Sequence, residues 1–172
     1  MQPSSFLLVF YGALFALSVA ELAKTWKNVL LKPYWEYTLW SGILFLVAAF
    51  NWFGMKFRIE HIGTSFFTYI FFMIPPLLFY LLVSVFTPKE GEDFKSHFLG
   101  SRFKVFLLLA LFVFSNMAIS FYTGDRAMVV NVLRFISVLL ALLCAFNDKI
   151  AFRIALGVYV IGGIIVVSYF GL

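Results

Sequence analysis

Residues 103–122 read FKVFLLLALFVFSNMAISFY, twenty residues in which the one charge, Lys104, stands at the very edge. About 20 residues of α-helix cross the roughly 30 Å hydrocarbon core of a bilayer. The run does not alternate polar with apolar, as a barrel strand with one face in lipid does. A helix also satisfies its own backbone hydrogen bonds, which lipid cannot do for it. The solvent of this segment is therefore lipid, and its conformation helical.

Working outward, five further runs repeat the pattern. The set is roughly Ser5–Leu22, Tyr37–Phe57, Thr64–Phe86, Phe103–Tyr122, Ala127–Phe146 and Ile150–Leu172. This predicts an all-α, polytopic transmembrane helical bundle of about six spans, forming one domain over residues 1–172. Composition agrees: 63% of residues are hydrophobic and 12% charged, against about half and a quarter in soluble domains. The first run lacks a basic leader and continues into Glu21-Leu22-Ala23-Lys24, so it reads as a retained helix. Cys144 is the single cysteine, which leaves no internal disulfide to form.

Lys and Arg set the orientation. The links after the first, third and fifth spans carry nine of them (Lys24, Lys27, Lys32, Lys89, Lys95, Arg102, Lys104, Lys149 and Arg153), and the other side carries Lys56, Arg58 and Arg126. Basic residues accumulate on the cytoplasmic side, which places both termini outside. The net charge of +5 thus reports orientation, and no basic stripe remains for nucleic acid. Trp26, Tyr34, Trp35 and Trp40 gather where the first link re-enters the membrane, as an interfacial belt does. Lys32-Pro33 ends any continuation of the first helix. In the longest link, Pro88 and Gly91 end the third helix, and Asp93 to Phe98 is expected to form a single turn on the membrane surface.

Arg134 is the most informative residue. It lies about eight residues, or about 12 Å, into the fifth span, where a guanidinium must face protein or water and have partners. Asn51, Asn116 and Asn131 fall at comparable depth, and Glu60 and Asp125 flank the layer from the outer links. Asn131 and Arg134, three apart, share a helical face. Two readings stand: a pocket for an anionic small molecule or lipid headgroup, or a structural role, as an internal hydrogen-bond lock between helices or an arginine reaching to the outer interface.

Other features carry paired readings too. Glu21 offers a proton site in a transport path, or a boundary carboxylate paired with Lys24. Glu36 is similar, at a helix N-terminus that suits a carboxylate. Pro75-Pro76 interrupts the third span, and such breaks either line transport sites or shape a bundle by kinking. His61 and His97 fall on opposite sides of the membrane, and no zinc-ligand spacing is present. No metal and no cofactor is implied. A phosphate loop, an H-E-x-x-H helix, a G-x-S-x-G turn and a potassium-selective filter are all missing from the sequence.

The stretch Ile74-Pro75-Pro76-Leu77 with Thr87-Pro88, then Asp93-Phe94-Lys95-Ser96-His97-Phe98 and Arg102-Phe103, resembles a loose group of small, uncharacterised multi-pass bacterial inner membrane proteins. Leu17 to Leu22, in the form Leu-x-x-x-Glu-Leu, and a tryptophan-bearing second span fit the same group. The resemblance implies a bacterial inner membrane location and the same architecture, and it supplies no activity. It directs attention to Asp93, His97 and Arg102 as a cytoplasmic link.

Three function classes follow. The first is a non-enzymatic sensor, a lipid- or small-molecule-binding protein, or a subunit of a membrane assembly. The second is a small transporter or channel built on the polar layer around Arg134, which at this size requires a homo-oligomer. The third is a membrane enzyme acting on a lipid or isoprenoid through Asp93, His97 and Arg102. Membrane lipids are the common partner of all three, and a membrane protein partner belongs to the first.

Overall fold

A computed structural model of the chain describes residues 3–31, 34–58, 65–124 and 128–170, and the regular structure of these residues is entirely α-helical. The helices are α1 (Pro3–Leu31), α2 (Trp35–Arg58), α3 (Phe66–Phe86), α4 (Phe94–Thr123), α5 (Met128–Phe146) and α6 (Ile150–Phe170). Each contains a segment long and apolar enough to cross a membrane. The expected helical membrane bundle is the observed one. Lys32-Pro33, Glu60, His61, Asp125 and the expected span ends Thr64, Ala127 and Leu172 lie outside the described residues.

Two boundaries differ from expectation. α1 continues beyond Leu22 to Leu31, because its polar turn is satisfied within the helix. Lys24 pairs with Glu21 at 2.7 Å and the Thr25 hydroxyl donates to the Leu22 carbonyl at 2.8 Å. The second concerns Asp93 to Phe98, which do not form a separate surface turn. Phe94–Phe98 are the opening of the 30-residue α4. Asp93 is the N-cap, its carboxylate accepting the Ser96 amide at 3.0 Å. An aspartate that takes up an orphan amide fixes a helix start. Phe98 is fully buried and the Phe94 ring meets Tyr37 at 4.8 Å, so this turn belongs to the bundle.

Pro75 and Pro76 do not end α3, which runs unbroken from Phe66 to Phe86 with both prolines buried. Their missing amides leave the Phe71 and Phe72 carbonyls without helical donors. The rings of Phe71 and Phe72 pack at that level against Tyr122 of α4.

Contacts at the two ends show that successive helices alternate in direction. At one end meet the closing turns of α1, α3 and α5 and the opening turns of α2, α4 and α6: Thr25 with Tyr37, Tyr37 with Phe86, Tyr34 with Phe98, and Phe103 with Phe146. This is the basic end. At the other, Phe6 meets Tyr69 and Thr68 bonds Tyr122. α3 and α4 form the centre, α1 packs on α3, α5 on α4, and α2 joins α1 to α6.

Aromatic rings make the core. Phe79 of α3 stacks on Phe15 of α1 at 5.0 Å and meets Phe112 of α4 at 5.2 Å. Trp40 of α2 meets Phe106 of α4 edge-on at 4.9 Å. Lipid is as apolar as these rings, so their packing geometry, and not escape from water, holds the helices together. Phe79 is fully buried at the meeting of three helices. Phe79→Ala is expected to cost about 3–5 kcal/mol, read as a loss of unfolding free energy in mixed micelles, whereas Phe67→Ala on the exposed face leaves it unchanged.

Candidate functional site

The residues singled out by sequence stand on α1 to α5. Asn51 donates to the Val47 carbonyl at 2.9 Å and Asn116 to the Phe112 carbonyl at 2.9 Å, each within its own helix. Arg134, half-buried on α5, donates to the Asn131 side-chain oxygen at 3.1 Å. The shared face of Asn131 and Arg134 is thus used inside α5. These bonds have the character of a structural layer. Glu21 forms its pair with Lys24 at the surface.

Asp93, His97 and Arg102 are also separated. Asp93 caps α4. His97 is clasped between the Glu92 carboxylate, 2.8 Å from Nδ1, and the Val85 carbonyl at the end of α3, 3.1 Å from Nε2. Arg102 follows His97 by five residues, roughly 140° around the helix, and turns to Asp148 in the α5–α6 link. The three therefore serve three different contacts. Among the described residues, no group of three His, Cys, Asp or Glu side chains is placed to hold a metal ion.

The strongest polar cluster joins residues that sequence gave no reason to pair. Glu36, in the first turn of α2, and Arg153, in the first turn of α6, form an ion pair with side chains only 2% and 5% exposed. Arg153 Nε donates to Glu36 Oε1 at 3.1 Å, and Nη2 reaches Oε2 at 3.3 Å. Its Nη1 donates to the Asp148 carbonyl at 3.0 Å, so every guanidinium nitrogen is engaged. The Tyr34 hydroxyl donates to Glu36 Oε2. Burial, reinforced by this bond, pushes the Tyr34 phenol up to about 12, which keeps it a donor at neutral pH. Asp148 then carries the chain on to Arg102 of α4. Glu36 is thus not a simple boundary carboxylate, and Arg153, tallied with the link charges, lies inside α6. The available signal was weak: each is a lone charge in an otherwise apolar first turn.

A hollow lies between α1 and α2, within their membrane-crossing segments. It is an open groove of about 480 Å³ with an almost wholly apolar lining, bounded by Val9, Gly12 and Ala16 of α1 and by Phe45, Ala49 and Trp52 of α2. The Trp52 ring lies over Gly12, where an added Cβ would stand 2.4 Å from it. A glycine at that position lets the indole sink between the helices. Ligand pockets commonly measure about 300–1,000 Å³, and this groove falls inside that range.

No protein-family model matches the chain, and no curated protein or solved structure does either.

Two predictions follow from the polar contacts. Arg153→Met strands a buried carboxylate, which costs about 3–5 kcal/mol, while Glu36→Met with Arg153→Met recovers most of the loss; a thermal double-mutant cycle in detergent, with Glu36→Met as the other single change, measures both. The second concerns acid. The Ser96 amide and hydroxyl hold the Asp93 carboxyl below its ordinary range, and the Lys89 amide, with the charge of His97, does the same for Glu92. A depressed folded value means the stabilisation is complete above the unfolded values, about 3.9 and 4.3, and fades as pH falls through the lower folded ones. Amide-exchange protection at Ser96 should therefore hold from neutral pH down to about 4 and fall only below it. Asp93→Asn, still a good cap, should remove that pH dependence.

Proposed function

We propose that this integral membrane protein is a non-enzymatic lipid-binding protein of the bacterial inner membrane, with both termini outside. The observation that carries the reading is the α1–α2 groove. It lies within two membrane-crossing segments, Phe6–Trp26 and Trp35–Gly54. Its lining offers van der Waals contact and almost no hydrogen bonding, so the chemistry that fits is a hydrocarbon chain, acyl or prenyl. The small alanines of its walls, Ala16, Ala48 and Ala49, let such a chain lie close to both backbones.

The polar groups of the bundle support the same reading from the other side. The buried charges Glu36 and Arg153 at the basic end are committed to each other. The bacterial inner membrane is supported by the resemblance of the Pro-containing span and the Asp93–His97 link. The orientation is supported by nine basic residues against three.

The reading is tested by photolabelling the full chain in vesicles of phosphatidylethanolamine and phosphatidylglycerol that carry a chain-diazirine phospholipid. Labelling should concentrate on the facing surfaces of α1 and α2, and Ala49→Trp, which fills the groove, should reduce it to the level on exposed α6. Uniform labelling of all six helices would overturn the proposal. Orientation is read separately in a Cys144→Ala background. An impermeant maleimide added outside should modify Gln2→Cys and spare Lys149→Cys; the opposite pattern reverses the topology.

A further inference from the structure

The seam between α1 and α2 is bridged in one half and open in the other. In the basic half the Trp26 indole N–H donates to Ser41 Oγ at 2.8 Å, and the Tyr37 hydroxyl donates to Thr25 Oγ1 at 3.3 Å. Trp26 also packs on Phe45, with ring centres 5.7 Å apart. A separate hollow of about 240 Å³ lies beside Trp26, among Val29, Thr38, Ser41 and Gly42, on the basic side of that ring pair. In the other half the walls are small, Ala16 of α1 facing Ala48 and Ala49 of α2, and the space between them is the groove.

Two rings bound the groove along its length. At one end the Trp52 indole lies over Gly12 and fills the space that this glycine leaves. At the other stands Phe45, backed by Trp26. Both rings stand at the rim, 48% exposed for Trp52 and 39% for Phe45. Within the crossing segment Trp35–Gly54, Trp52 is two residues, about 3 Å, from the end away from the basic residues. Phe45 is nine residues, about 14 Å, from that end. The hydrocarbon of one leaflet is about 15 Å deep, half of the roughly 30 Å core. The groove therefore starts beneath one membrane face and stops near the midplane. Neither Phe6–Val19 nor Phe45–Gly54 contains a charged residue.

Resting on the lipid-binding reading, we infer that the groove is selective for one leaflet. It takes a single hydrocarbon chain of a lipid from the leaflet at the end away from the basic residues, which in the proposed orientation is the outer one. The chain passes the edge of Trp52, lies against Ala16, Ala48 and Ala49, and ends at Phe45. Phe45, held by Trp26, is the stop that keeps it out of the basic half. A lipid of the opposite leaflet meets the bridged half of the seam first, and its chain reaches the midplane on the other side of the same ring pair. A helix of a second copy does not suit the space. With its side chains it is about 10 Å across and would ride on both rim rings, whereas a chain one methylene wide passes beside them.

The test places the full chain in vesicles of phosphatidylethanolamine and phosphatidylglycerol. A phosphatidylcholine with a diazirine at one chain terminus is then exchanged into the external monolayer alone. Vesicles with the termini facing out are separated from the rest by capture through a biotin maleimide on Gln2→Cys, in a Cys144→Ala background. In the captured vesicles, label should concentrate on Ala16–Val19 and Phe45–Ala49, above the level at Val158, an exposed mid-span residue of α6. In the uncaptured ones, seam labelling should fall to the Val158 level. Phe45→Ala removes the stop, so in captured vesicles its label should extend to Ser41 and Gly42. Equal seam labelling from the two monolayers, labelling from the basic-end monolayer alone, or an unextended pattern in Phe45→Ala would overturn the inference and leave a lipid chain in the groove. Seam labelling no higher than that of Val158 from either monolayer would overturn the lipid-binding reading itself.

Discussion

Two opposite charges buried at the openings of α2 and α6 hold the basic end of the bundle together. Neither charge tolerates being there alone. A lone carboxylate or guanidinium out of water costs several kcal/mol even after relaxation, so Glu36 and Arg153 are each the condition for the other's position. The geometry meets the full demand. The guanidinium uses all its nitrogens and the carboxylate also accepts the Tyr34 hydroxyl. The pair joins residues 117 apart in sequence, and through Asp148 it is tied to Arg102 of α4. Among the described residues α6 packs mainly on α5 and, more lightly, on α2. The ion pair is what gives that lighter contact a single register, since sliding either helix by one turn would separate the charges.

Elsewhere the bundle is held by shape. In lipid, burying a phenylalanine gains little from solvent release, so the stacked rings of Phe15, Phe79 and Phe112 and the Tyr37–Phe86 pair at 4.4 Å act through close contact and ring electrostatics. This explains how a chain so rich in phenylalanine has a defined interior. Rings at the centre of the bundle, such as Phe79, Phe86 and Phe106, are buried, and those on the outer faces, such as Phe67 and Phe121, remain exposed to lipid. Hydrophobicity does not separate the two sets. Position on the helix does.

That distinction marks how far the sequence could be read. Spans were legible, because length and the absence of charge are local properties, and all six fall where expected to within a turn or two, apart from the polar extensions of α1 and α4. The α4 extension was written in Asp93 and Ser96, a capping pair three residues apart, but the apolar run starting at Phe103 drew attention away from it. The Pro75-Pro76 pair marked a perturbation, yet tertiary packing carried α3 through it. Arg134 was conspicuous because a charge in mid-span is costly, whereas Glu36 and Arg153 looked ordinary because helix ends usually meet water. Only the three-dimensional arrangement reveals that these particular ends are covered, by Tyr34 and the aromatic rings around Tyr37 and Phe98.

The α1–α2 seam is the counterpart of the ion pair. At the basic end of α2 the residues facing inward toward α6 are charged and completely matched, while those facing α1 are small, hydroxylated or glycine and leave space. Both faces begin within the same two turns, at Glu36 and at Thr38. A helix that needed only to pack would fill the second face as fully as the first, and at Gly42 an added Cβ would meet no atom within 4 Å. α2 packs most heavily on α1 and more lightly on α6 and α4, and the ion pair adds a fixed point on its α6 side. The buried charges thus fix the register of α2 at the basic end, while the Trp26–Ser41 bond and the Trp52 ring over Gly12 bound the open stretch of the seam between them.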